Sequence, residues 1–111
     1  MEYLVRSEYD KLVRDRIPEI IRAAGKQPVT RTVTGPDELR QRLIDKLAEE
    51  MAEYRESGSL EEIADILEVL QGLVEQVHGV KWEEVRVIQG RKWEERGGFA
   101  QGIILERVEE K

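Results

Sequence analysis

The tripeptide Ser57-Gly58-Ser59 constrains this chain most, because it separates two long stretches that both carry helical periodicity and contain no internal breaker. Residues 38–56 are rich in good helix formers, with Leu39, Leu43, Leu47, Met51 and Tyr54 recurring on one arc at roughly 100° per residue. Residues 60–78 repeat the pattern through Ile63, Ile66, Leu67, Leu70, Leu73, Val74 and Val77, and Gly79 ends it. Ser59 with Glu62 three residues on reads as a capping box that starts the second stretch. At the first, Gly35-Pro36-Asp37 announces a start, with Asp37 as cap or Pro36 in the first turn. Two amphipathic helices joined by so short a break must fold back antiparallel.

The remainder is arranged around this hairpin. A short helix around Pro18 ends at Gly25, and a third longer helix spans about Lys81 to Arg96 before Gly97-Gly98. Residues 29–34 (VTRTVT) alternate and are β-branched, and residues 102–108 (GIILERV) form a second strand candidate. The expected fold is mainly α, a helical hairpin with a small β ribbon pairing 29–34 with 102–108. At 111 residues the chain reads as one domain, residues 1–111. So small a domain leaves helix faces that a second copy could cover, giving a four-helix bundle-like homodimer or higher homo-oligomer.

Bulk properties exclude several classes. With no cysteine there is no disulfide framework and no thiolate metal site, and the chain suits a reducing cytosol. Apolar runs are only a few residues long and the first sixteen residues are charged throughout, so neither a membrane span nor a signal peptide is expected and the location is cytoplasmic. The net charge of −6, from 24 acids and 18 bases, argues against general nucleic-acid binding. There is no Walker-type or Rossmann glycine loop, and the single histidine, His78, sits at a helix end with no Ser or Cys partner in view.

The acids near the hairpin turn carry the chemistry. Glu49, Glu50 and Glu53 lie late on the first helix, and Glu61, Glu62 and Asp65 lie early on the second. An antiparallel pair brings the two sets level, and side chains three apart share a face. Glu50 falls inside the apolar arc, Glu53 and Glu62 on its borders, and Asp65 further out; Glu49, Glu61, Glu68 and Glu75 point away. Clustered carboxylates beside a core repel one another and resist desolvation, and a divalent cation relieves both. Oxygen-only ligands favour Mg²⁺ or Mn²⁺ over zinc, and such an ion would neutralise a substrate phosphate and acidify bound water. Donors for an anionic substrate come from Lys11, Arg14 and Arg16 and from Arg91, Lys92 and Arg96; Lys11, Arg14, Lys92 and Arg96 are the substrate-binding candidates. Trp82, Trp93, Tyr54 and Phe99 read as packing or subunit-interface residues rather than base-stacking ones.

In these segments the chain resembles the MazG-like, all-α NTP pyrophosphohydrolase superfamily. LAEEMAEY followed by SLEEIADILEVL matches its E-x-x-E then E-x-x-D order. YDKLVRDRIPEII near the start and KWEERGGFAQGIIL near the end are similar to the small members labelled phosphoribosyl-ATP pyrophosphohydrolase-like, so the resemblance spans nearly the whole chain. It implies that Glu50, Glu53, Glu62 and Asp65 are Mg²⁺ ligands, with Glu50 and Glu53 at the catalytic step. It also implies cleavage of a nucleoside triphosphate between its α and β phosphates, in a dimer or higher oligomer. Two alternatives stand beside this: phosphoribosyl-ATP hydrolysis in histidine biosynthesis, and a non-catalytic helical interaction module whose acids form only a solvated face.

Overall fold

A computed structural model describes residues 9–110, and it is mainly α-helical. Helix α1 spans Ile17–Ala23, α2 Pro36–Ser57, α3 Leu60–Gly72 and α4 Trp82–Arg96. A π-helical turn, Leu73–Val77, continues α3, so the second long stretch is helical up to His78 as its periodicity requires. Among the described residues, no helix is long and apolar enough to cross a membrane.

The hairpin of α2 and α3 follows from local chemistry at its turn. Gly58 adopts φ 62, ψ 21, a left-handed conformation that closes α2 with its N–H donating to Tyr54 O at 2.8 Å. Ser59 then caps α3 by accepting from the Glu61 N–H at 3.0 Å. The reciprocal half of the expected capping box does not form. The Ser57 hydroxyl accepts from the Ser59 N–H at 3.2 Å and itself donates to Glu62 Oε1 at 3.0 Å, so Ser57 stands between the two groups that a capping box would join. At the opposite end of the hairpin Gly72 lets the helices approach closely: a Cβ there would lie 3.2 Å from Leu43 Cδ2.

The start of α2 resolves the two sequence registers in favour of Pro36 in the first turn; Gly35 occupies the cap position without a side-chain bond. Glu38 does the capping work from inside the helix. Its carboxylate accepts from the Thr34 N–H at 2.8 Å and from both Arg31 nitrogens at 2.9 and 2.7 Å. These bonds, Arg31's first and the Thr34 N–H next, lower the Glu38 carboxyl to about 2.

The expected ribbon is absent: no strand forms among the described residues, and 29–34 does not pair with 102–108. Arg31 and Thr34 bind the start of α2 instead, while Ile103, Ile104, Leu105 and Val108 remain 76–82% exposed. A two-stranded ribbon with no third strand or covering helix is marginal in water, so β-branched alternation alone does not secure it.

Packing is sparse. Leu43 and Val69, 7% and 6% exposed, are the buried apolar side chains among the described residues. Helix α4 packs chiefly against the π-helical turn and leaves Val87 and Trp93 exposed. The radius of gyration is 19.8 Å, against about 13 Å for a compact chain of this length. The accessible surface is 10654 Å², against about 6300 Å² for a compact monomer of this mass. A single copy thus exposes apolar faces of both long helices, including Met51, Tyr54 and Leu67.

Candidate metal centre

Three carboxylates meet beside the hairpin turn. Glu50 comes from the last two turns of α2, and Glu62 and Asp65 from the first two turns of α3. One oxygen from each lies within 4.8 Å of the other two. Around an octahedral Mg²⁺ adjacent oxygens are about 3 Å apart and opposed ones about 4.2 Å, so the trio would draw together to share one ion.

Glu50 supplies the decisive chemistry. It is 6% exposed, and its Oε2 has no hydrogen-bond partner among the described residues. Its Oε1 lies 3.8 Å from Lys46 Nζ, a cation shared with Glu49 at 3.7 Å. Burial raises the Glu50 carboxyl above the ordinary glutamate value. The neighbouring Glu53 carboxyl and then the negative charge of Asp65 add to this, and Lys46 opposes it. A buried carboxylate with one oxygen unpaired, grouped with other acids, is a costly arrangement for a metal-free protein and a suitable one for a divalent cation. The donor set, all oxygen with no Cys or His, fits Mg²⁺ or Mn²⁺.

The other sequence candidates divide by position. Glu53 is exposed and lies outside the convergent trio, but adjoins it through Glu50. Asp65, furthest from the core on the helical wheel, is inside the trio. Arg14 Nη2 donates to Asp65 Oδ1 at 2.7 Å, and Lys11 Nζ to Glu49 Oε1 at 3.3 Å, so two of the three bases of the first cluster flank the acids. Arg16 bonds Glu19 instead. Lys92 and Arg96 lie on α4, exposed and in no ion pair among the described residues, and the single chain does not bring them to the carboxylates. Asp10 accepts from Arg42 of α2 through Oδ1 at 3.0 Å and through its carbonyl at 2.8 Å.

Two contributors escape a motif-based reading. Lys46 is legible afterwards as the residue four before Glu50, on the same face. Ser57 orients Glu62 from the turn itself, where a serine reads as a helix breaker rather than as a partner for a candidate ligand.

Comparison with known proteins adds little beyond this geometry. No protein-family model matches the chain, and no solved structure matches it. An uncharacterized protein of Mycolicibacterium smegmatis is 58% identical over 45 residues, which make up 40% of this chain; the chain spans about 45% of the length of that relative.

Proposed function

We propose that this chain is a divalent-metal-dependent nucleotide pyrophosphohydrolase using Mg²⁺, with Mn²⁺ as a substitute. The observation that carries the reading is the buried Glu50 carboxylate, one oxygen of which has no partner among the described residues, converging with Glu62 and Asp65 across the hairpin. Glu50, Glu62 and Asp65 would hold the ion, with Glu53 at the rim beside Glu50. When bound, the metal supplies charge neutralisation for a triphosphate and lowers the pKa of water in its shell.

The chain's own residues do the rest. Glu53, exposed and beside Glu50, accepts the proton as water attacks the α phosphorus. The bond from that phosphorus to the bridging oxygen breaks, and a nucleoside monophosphate and pyrophosphate leave. Lys11 and Arg14, already beside the acids, offer cationic donors to the departing phosphates. Incubating the protein with Mg²⁺ and a nucleotide panel, with products identified by mass, tests this. Monophosphate with pyrophosphate is expected; diphosphate with inorganic phosphate overturns the cleavage position, and no product from any nucleotide overturns the activity.

The working form in this reading is a cytoplasmic homodimer or higher oligomer built on the long helices. The excess surface, the exposed Met51, Tyr54 and Leu67, and the uncovered apolar residues at 103–108 support it. A second copy would also give Lys92 and Arg96 a route to carboxylates that their own chain does not provide. Light scattering at micromolar concentration is expected to exceed the monomer mass of 12.9 kDa. A fully active species at that mass overturns the assembly.

A further inference from the structure

Residues 10–14 lie against the hairpin outside any helix, with Leu12 half-buried and polar contacts on either side of it. Asp10 binds Arg42, Lys11 binds Glu49, and Arg14 Nη2 binds Asp65 Oδ1 at 2.7 Å, with Nη1 3.8 Å from Glu68 Oε1. The Arg14 contact differs from the other two in its partner. Asp65 belongs to the convergent trio, so the guanidinium engages a carboxylate that a divalent cation would need. The same side chain is half exposed, which leaves it free to turn away without breaking a packed core.

We infer that Arg14 is a displaceable counterion: it neutralises Asp65 when no metal is bound, is driven off as a divalent cation takes that oxygen, and then binds a substrate phosphate. This rests on the metal-dependent reading above. Two cations cannot share the Asp65 carboxylate without repulsion, so entry of the metal weakens the Arg14 contact. The Asp10–Arg42 and Lys11–Glu49 contacts do not involve the trio, so they keep the segment, and therefore the guanidinium, beside the centre after release. A planar fork of donors freed next to a metal centre suits phosphate oxygens. Empty, the arrangement limits repulsion among the acids; loaded, it transfers a positive charge from protein to substrate.

The inference gives Arg14→Gln opposite effects on two measurements. Titration with Mn²⁺ alone, without nucleotide and at low salt, should show binding about three- to tenfold tighter than wild type, because the competing charge is gone. At saturating metal, kcat/KM should fall about ten- to a hundredfold, because the phosphate donor is gone too. Arg14→Lys, which keeps the charge but not the fork, should leave Mn²⁺ affinity near the wild-type value and fall between the two in kcat/KM. Unchanged far-ultraviolet circular dichroism checks the fold. Mn²⁺ binding to Arg14→Gln that is equal or weaker overturns the inference and makes Arg14 a holder of Asp65 rather than its competitor. Tighter binding with unchanged kcat/KM overturns the phosphate step. Tighter Mn²⁺ binding by a protein whose wild type cleaves no nucleotide supports the counterion exchange and overturns the hydrolase reading instead.

Discussion

Replacing Glu50 by glutamine isolates the group on which the candidate centre depends. In the metal-free protein at neutral pH, Glu50 is buried, next to Glu53 and Asp65, with one oxygen unpaired. Glutamine keeps the volume, removes the charge and can donate to Glu53. An unsatisfied buried polar group costs about 1–3 kcal/mol, and the lost Lys46 contact at 3.8 Å offsets less than about 1 kcal/mol of the gain. Near 111 residues, 1 kcal/mol corresponds to about 4 °C in Tm. Glu50→Gln should therefore melt above wild type, by up to about 12 °C, in a chelator at pH 7.5. In Mg²⁺ at about a hundred times Kd, wild type should gain about 2.7 kcal/mol, about 11 °C, and the variant almost nothing. The order of stabilities thus closes or reverses with metal. The pH dependence carries the same sign. Because the folded Glu50 carboxyl is raised above its unfolded value, its contribution is fully present below the ordinary glutamate pKa and is lost as pH rises through the folded value. The advantage of Glu50→Gln in chelator should accordingly grow as pH rises above about 4.3. Calorimetry from pH 4 to 8 reads all of this. A variant less stable than wild type in chelator at pH 7.5, or one stabilised equally by Mg²⁺, would refute the reasoning.

Glu53→Gln should cut turnover at least about a hundredfold with unchanged circular dichroism, since an exposed carboxylate at the rim contributes chemistry rather than packing; retained activity in a product assay would remove Glu53 from the site. Glu61→Gln should change stability by less than about 0.5 kcal/mol and leave activity intact, while Asp65→Asn abolishes it, and equal losses in the two would mean that the α3 register assigned to the site is wrong. Ser57→Ala should cost about 1 kcal/mol by denaturant titration and weaken Mg²⁺ binding about tenfold, because one hydroxyl both satisfies the Ser59 N–H and orients Glu62; unchanged metal affinity would confine Ser57 to the turn. Glu38→Gln should be less stable than wild type at pH 6, and the gap should narrow at pH 3 because wild type loses this contribution as pH falls toward about 2, which parallel melts at the two pH values would show.

The helical part of this fold was legible because it rests on local rules. Gly58, Ser59, Pro36 and the apolar recurrence each act within a turn or two, and the observed α2, α3 and α4 lie within a few residues of the spans those rules give. The meeting of acids from two helices follows from the same rules, since a short turn fixes which ends adjoin. The ribbon was not legible for the converse reason. Whether 29–34 pairs with 102–108 depends on contacts more than sixty residues apart, and Glu38 offers Arg31 and Thr34 a nearer and charged alternative.

Within the acid cluster, periodicity ranks exposure relative to one helix's own apolar arc, and that ranking cannot include what another segment lays over the helix. Asp65 is outermost on the arc of α3, yet Arg14, fifty-one residues earlier, and Glu50, across the hairpin, both reach it. Glu53 is nearer the arc of α2 and still faces solvent, because the hairpin as observed leaves the end of that arc, Met51 and Tyr54, uncovered. The two residues most misplaced by the wheel are therefore those whose surroundings are made by long-range contact. Asp65 gains a neighbour that no local pattern encodes. Glu53 and the adjoining apolar surface lack one, and the proposed second copy would lie along that same uncovered arc.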